Sequence, residues 1–485
     1  MEKFKVMAIT YLELPEVKAI LGIEFKKNED VLGPLYLAKG SLSDGKINYQ
    51  IRVRETSPKP ATEIMLSIPN AAENLDVLLK VLNISRKDLF WIHPRAGGTL
   101  RRYVVDILIA NLEVPNPLIQ ILVGPRQVGK TTSVEHLIKE WGAETHYASA
   151  DSVVDDYAPW LQKQWQVALQ KGEGTLLVID EIQKIDGWKE QVKLLWDKTK
   201  AHGLRVVLLG STSFNHYVTP KGRESLAGRF NSIYVPHWSY SETHEAFGTS
   251  FEDFSLYGGY PKAMEFAANR EKWAEYIGQS IINPIIDIDI YQQGKFSRVD
   301  NLRRAFKVFC SEVNTEINYT YFLKEIQQTG NTDMVKRYLE GYYDSFLLSP
   351  ISLVDDNGAL DSRVSPMLMT NCPAVYSFGR SSYKNISEDP IRFQQSVASE
   401  LKKIPNQSFG HWLKNEDVGM DFFLRTNDNK TFGIFIENEK TIRSTTKSFD
   451  QFRKTFKDAR IVSINADNFN ALLEGNRAFL ETAAI

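Results

Sequence analysis

The sequence is short of several features that would have narrowed its setting. Only two cysteines, Cys310 and Cys372, occur in 485 residues. So few exclude a disulfide framework and suit a reducing cytoplasm. Neither has a metal-ligand companion at short spacing, so both read as ordinary thiols. Charge of one sign is also missing: 58 Lys and Arg stand against 60 Asp and Glu, a net charge of −2. Nothing global draws the chain to nucleic acid, which leaves only a local basic face. No apolar run approaches the ~18 residues a membrane helix needs. The opening MEKFKVMAITYLELPEV has an early acidic residue and no apolar core of a signal peptide. Repeats and low-complexity tracts are absent. What remains, 43% hydrophobic and 24% charged residues, is the composition of a soluble globular protein. The length calls for two to four domains. The expectation is a cytoplasmic, multidomain protein with no membrane partner.

Along the chain, residues 1–90 read as a small α+β module. KINYQIRVRE and ATEIMLSIP alternate like strands, SPKPATE reads as a loop, and ENLDVLLKVL has helical spacing. No catalytic constellation appears there, so it reads as an accessory, protein-binding domain. From 91 to 283 strands and helices alternate, the pattern of an α/β parallel sheet with crossover helices. PLIQILVG, TLLVIDE and LRVVLLGS are buried-strand candidates, and chemistry is expected at their carboxyl ends. Residues 284–358 hold three short amphipathic segments and a strand, which suits a winged helix. Residues 359–485 return to strands (MDFFLRT, KTFGIFIE, ARIVSIN), with the helix-like SFDQFRKTFKD before the last, forming a C-terminal α/β domain.

The most informative stretch is ILVGPRQVGKTT. Gly124, Gly129, Lys130 and Thr131 fit the P-loop spacing G-x-x-x-x-G-K-[ST]. Such a loop, Gly124, Pro125, Arg126, Gln127, Val128 and Gly129, turns backbone N–H groups inward around phosphates. The helix it opens, beginning Lys130, Thr131, Thr132, adds its positive end. Lys130 would reach the β- and γ-phosphates of ATP, and the Thr131 hydroxyl would ligate Mg²⁺. Fifty residues on, Leu176–Ile179 lead into Asp180 and Glu181. Asp180 is the expected metal partner and Glu181 the catalytic base that orients water. Ser211, Thr212 and Ser213 end another strand. A hydroxyl there would sense the γ-phosphate, or the three simply begin a loop. Arg229 in SLAGRF is a guanidinium able to stabilise transition-state charge.

GPRQVGKTT, LVIDEIQKIDGW, LLGSTSF, SLAGRF and LYGGYP, in that order, resemble the AAA-type P-loop ATPases of bacteria and archaea with an uncharacterised, restriction-endonuclease-like C-terminal domain. The likeness spans about residues 91–480. It implies ATP and Mg²⁺ as cofactors and makes Arg229 an arginine-finger candidate, in its own chain or a neighbour's. It implies that Gly258–Pro261 opens a lid region beside the nucleotide. It also favours self-association into a homo-oligomer. The first 90 residues depart from the pattern, since such relatives begin near HPRAGGTLRRYVVDIL.

The same resemblance bears on what the ATP serves. In a DNA-reading winged helix the third helix would present Lys336 and Arg337. Residues 292–350, however, carry eight basic residues against seven acidic ones, short of the excess a phosphate-binding surface shows. A nuclease would need E-x-D and E-x-K strands holding Mg²⁺. Here Asp421 and Glu437 remain, while Gly419 and Glu439 stand where an acidic residue and a lysine belong. Lys440 is next door but would point to the opposite face unless a bulge intervenes. The sequence therefore favours an ATP-hydrolysing switch with a degenerate C-terminal domain. The alternatives are an ATP-dependent nuclease using Asp421 and Glu437, and a non-hydrolysing, nucleotide-stabilised scaffold.

Overall fold

The computed structural model describes residues 4–10, 26–30, 33–42, 47–54, 62–68, 92–95, 100–152, 157–210, 228–291, 296, 298–327, 331–380, 389–404, 407–437, 445–465, 468 and 475–482. The chain divides into two compact units. One comprises residues 1–100, 241–254 and 262–276; the other comprises 101–240, 255–261 and 277–485.

The first unit contains two antiparallel three-stranded sheets. Strands β1 (Phe4–Thr10), β5 (Thr62–Ile68) and β6 (Ile92–Arg95) form one in the order β5-β1-β6. Strands β2 (Lys26–Asp30), β3 (Gly33–Leu42) and β4 (Ile47–Arg54) form the other. KINYQIRVRE and ATEIMLSIP supply β4 and β5, as their alternation suggests. Strand β6 pairs with β1 from Lys5↔Arg95 to Ala8↔Ile92, so this sheet continues beyond residue 90. The helix expected at residues 73–82 lies outside the described residues.

In the second unit, strands β7 (Ile119–Val123), β8 (Thr145–Ser149), β9 (Leu176–Asp180), β10 (Arg205–Leu209) and β11 (Phe230–Tyr234) form a five-stranded sheet, ordered β11-β7-β10-β9-β8. Every pairing in it is parallel, which requires a crossover after each strand. Helices α1 (Val104–Leu112), α2 (Lys130–Glu140), α3 (Tyr157–Gln170) and α4 (Trp188–Thr199) flank it. Alternate residues of the central strands, Ile119, Ile121, Val123, Leu177, Ile179, Val206 and Leu208, share one core with Leu161 and Trp165 of α3 and Val192 and Trp196 of α4. Each fully buried aliphatic chain contributes about 1.5–3 kcal/mol, which is why these short apolar runs suffice to fix the sheet. The α/β architecture expected from alternating strands and helices is the one observed.

Two π-helical segments, Ile277–Ile282 and Ile285–Ile290, lead into α5 (Val299–Ser311), α6 (Tyr319–Gln327) and α7 (Thr332–Asp344). The three helices close on an aromatic core, with Phe309 5.0 Å from Phe322 and 5.9 Å from Tyr342. Strands β12 (Leu348–Leu353), β13 (Met367–Thr370), β14 (Gln407–Asn415), β15 (Val418–Thr426), β16 (Thr431–Ile436) and β17 (Arg460–Ile464) make a six-stranded mixed sheet, ordered β13-β12-β14-β15-β16-β17. Helices α8 (Pro373–Gly379), α9 (Pro390–Leu401) and α10 (Thr445–Thr455) accompany it. Strand β12 pairs antiparallel with β13 and parallel with β14. The expected boundary at 358 thus falls between two paired strands, and the strand after the three helices is shared with the C-terminal sheet. Among the described residues no helix is long and apolar enough to cross a membrane.

Candidate nucleotide site

The phosphate loop joins the end of β7 to α2. Gly124 has no room for a side chain, because a Cβ there would lie 2.1 Å from Val235 O. Gly129, at φ 91°, caps α2 from the left-handed region, where a Cβ is unfavourable. Gln127 adopts φ 57° without being glycine, a strained conformation of the kind that clusters at ligand sites. Lys130 is half-buried and donates from Nζ to Gly124 O at 2.9 Å and Pro125 O at 2.6 Å. Its side chain therefore folds back over the loop. Burial pushes its ammonium down to about 8, against the opposing pull of Glu181 and Asp180.

Strand β9 delivers Asp180 beside this loop with only 7% exposure. Its Oδ2 accepts from Thr131 Oγ1 at 3.0 Å and from Tyr147 OH at 2.9 Å. Its Oδ1 accepts from the Glu181 backbone N–H at 2.8 Å. Glu181 itself sits at φ 53°, turning the chain sharply out of the strand. Its carboxyl is raised by burial and by Asp180, while a hydrogen bond from Gln183 opposes the shift. A hydroxyl and a carboxylate oxygen meeting next to a lysine and a second carboxylate form an oxygen donor set. Such a set fits a magnesium ion carried in by phosphates, so the residues present suit ATP and Mg²⁺.

Three contacts around the loop were not legible in the sequence. Arg102, 2% exposed, donates from one Nη to Val128 O at 3.0 Å and Pro236 O at 3.2 Å. Trp238 Nε1 donates to the same Val128 O at 3.0 Å. Arg126 forms a two-pronged pair with Asp289, Nε to Oδ2 at 2.7 Å and Nη2 to Oδ1 at 2.5 Å. Only the basic block LRR hinted at Arg102. Tyr147 escaped because THYAS, partly exposed at the sheet edge, lacks the apolar run of a buried strand.

The remaining sequence candidates fall elsewhere. Ser211, with Thr212 and Ser213, lies outside the described residues. Arg229 precedes β11, whose register Phe230↔Ile119 places it at the edge where β7 begins. The phosphate loop follows the far end of β7, about 16 Å away along the strands. At this edge Arg229 clasps Asp197 of α4, Nε to Oδ1 at 2.8 Å and Nη2 to Oδ2 at 3.0 Å. The G-G-Y-P block is packed inside: Gly259 O accepts from Trp238 N at 3.0 Å, and Tyr260 OH meets His237 Nε2 at 3.1 Å. It touches the loop's surroundings through Trp238.

The C-terminal carboxylates are engaged by their own sheet. The β15–β16 ladder is paired only as far as Phe422↔Ile434; beyond it Asp421 Oδ2 accepts the Ile436 amide at 2.7 Å in place of a strand carbonyl. Asp421 Oδ1 accepts from Gln394 Nε2 at 3.3 Å. Glu437 accepts from Ser463 Oγ and, at 3.1 Å, from Asn465 Nδ2, and these donors hold its carboxyl below the usual range. At Gly419 a Cβ would stand 2.7 Å from Trp412 O. The acidic residue the resemblance expects there is excluded by the neighbouring strand. Glu439 and Lys440 lie outside the described residues. Among those described, no cluster of three or more His, Cys, Asp or Glu could hold a metal ion.

Residues 116–244 match the AAA domain family, and residues 248–365 match a domain family of unknown function. The sheet, loop and Asp180–Glu181 strand end thus lie within, or border, the stretch that matches the AAA domain family. The Thermotoga maritima RuvB Holliday junction branch migration motor is 15% identical, covering 54% of this chain and 91% of that chain with a TM-score of 0.29. A single-site variant of it gives 15% identity over the same shares and a TM-score of 0.30. Likeness this loose leaves the assignment to the family match and the loop geometry. No curated protein sequence matches the chain.

Proposed function

We propose that the chain binds ATP with Mg²⁺ at the phosphate loop, hydrolyses it, and uses the cycle as a conformational switch for engaging a partner. The observation that carries this reading is the Thr131–Asp180 hydrogen bond of 3.0 Å beside Glu181. Lys130 and the loop N–H groups from Gly124 to Thr132, Pro125 excepted, hold the phosphates. Thr131 and Asp180 hold the metal, which when bound would neutralise charge on the β- and γ-phosphate oxygens. Glu181, raised by burial, accepts a proton from water and orients it. Tyr147 keeps Asp180 turned toward Thr131.

Arg229 lies too far from the loop of its own chain to serve it. Its place at the opposite end of the strands suits a finger offered to a neighbouring copy, so a homo-oligomer goes with the reading. Lys336 and Arg337 are exposed on α7 and seated near the rings of Tyr319 and Phe296. That face is the candidate DNA contact, and the N-terminal sheets are the candidate protein contact. Free, buried Cys310 and Cys372 suit work in the cytoplasm. The restriction-endonuclease-like domain keeps a fold role without cutting: Asp421 and Glu437 satisfy strand and side-chain donors, and Gly419 admits no carboxylate.

Phosphate release with Mg²⁺ tests the reading. Turnover by the intact chain that disappears in Glu181→Gln, with ATP binding retained, is expected. Binding without any turnover would leave the scaffold. Plasmid nicking with Mg²⁺ or Mn²⁺ that vanishes in Asp421→Ala would restore the nuclease.

A further inference from the structure

Three hydrogen bonds from two residues tie the crown of the phosphate loop to one segment far down the chain. Arg126 offers Nε and Nη2 to both oxygens of Asp289, whose side chain is 5% exposed against 28% for the arginine. Gln127 Nε2 donates to Ser280 O at 2.9 Å. Pro284, between the two wide-turned segments, has no N–H to return to a carbonyl of the preceding turn. Both anchor points stand on the π-helical segments Ile277–Ile282 and Ile285–Ile290. Such wide turns are rare and concentrate at functional sites. Most of this connector is buried, including Ile277, Ile281, Ile285, Ile286 and Ile290.

The connector also grips the three-helix segment. Asp287 pairs with Arg303 of α5 at 2.8 Å. Ile290 packs so closely on α7 that a Cβ at Gly341 would lie 2.8 Å from its Cγ2. Residues 280 and 289 thus face the loop while 287 and 290 face the helices. A nucleotide phosphate is a second anion for the guanidinium that Asp289 already holds. A carboxylate this buried cannot lose its partner cheaply, so the two anions cannot be accommodated independently.

We propose that Asp289 is a positioning residue of the nucleotide site, acting through Arg126, and that the π-helical connector carries the loop's occupancy to helix α7. The inference rests on the nucleotide-site reading but not on hydrolysis. It is tested on the full chain with Mg²⁺-ADP, by titration and by amide hydrogen exchange over residues 332–344. In the unaltered protein ADP changes exchange in α7. Asp289→Asn weakens ADP binding about tenfold and leaves α7 unresponsive at saturating ADP, while Asp289→Glu restores part of the response. If Asp289→Asn fails a thermal-unfolding check, Arg126→Lys, which keeps the charge but loses the fork, is read by the same two measurements. Wild-type affinity together with a wild-type α7 response in the variant overturns the proposal. Bound ADP with no α7 response in the unaltered chain sinks the coupling alone. Failure of that chain to bind ADP sinks the nucleotide site and the coupling together.

Discussion

At the end of β9, Asp180 meets Thr131 and Tyr147 near the half-buried Lys130, and burial drives its neighbour Glu181 upward. Within β15 and just past β16, Asp421 accepts from a backbone amide and Gln394, and Glu437 is held down by Ser463 and Asn465. Both places carry an acidic pair in or just after the strands of a sheet. They differ in what surrounds the oxygens. The first pair shares space with a hydroxyl and a lysine at the phosphate loop, both suited to a phosphate and its cation. The second substitutes for missing ladder bonds, so its oxygens serve the sheet. An acidic motif becomes a site only when its acceptor capacity is left for a ligand.

Several variants would break or sharpen this contrast. The broadest effect belongs to Lys130→Ala, which removes the lysine folded over the loop and with it both binding and turnover. ADP affinity measured by titration should fall by about 100-fold or more; affinity within threefold of the unaltered protein would dissolve the distinction. Next is Arg229→Ala, which should spare nucleotide binding and lower turnover, by about 1,000-fold if the guanidinium serves a neighbouring copy. Mixing it with Glu181→Gln subunits should restore part of the turnover; no recovery would argue against a shared site. Gly419→Ala should cost about 1–3 kcal/mol through overpacking against Trp412 O, read as a lower thermal midpoint with ATP turnover unchanged. An undiminished midpoint would mean that β14 yields readily and that space does not exclude a carboxylate there. The smallest effect is on pH dependence. Because Glu437 is depressed in the folded state, its contribution is present above the ordinary carboxyl range and lost as pH falls through the folded value. Glu437→Gln should therefore destabilise by under about 1 kcal/mol at neutral pH, with the difference vanishing in acid.

Much of the nucleotide site was legible because its parts are local. The loop's glycines, lysine and threonine fall within eight consecutive residues, and Asp180 ends an unmistakable apolar run. The three helices of residues 299–344 and strands β15–β17 were likewise announced by their own periodicities. Other features depended on distant segments meeting. Arg126 and Asp289 are 163 residues apart, and nothing in IIDIDI sets Asp289 apart from Asp287. Strand β13 and the partly polar β8 carry weak signals, so their edge pairings had to be seen.

The sequence by itself determined that a phosphate loop exists, where its helix begins, and which carboxylate lies opposite it. Those depend on backbone freedom and strand burial, which short windows encode. Tertiary structure alone decided that Arg229 stands at the opposite end of the strands from its own loop. It also decided that Gly419 is walled in by β14 and that Asp289 holds the loop's arginine. Each of these depends on which strands and helices become neighbours, and that follows from packing the whole chain.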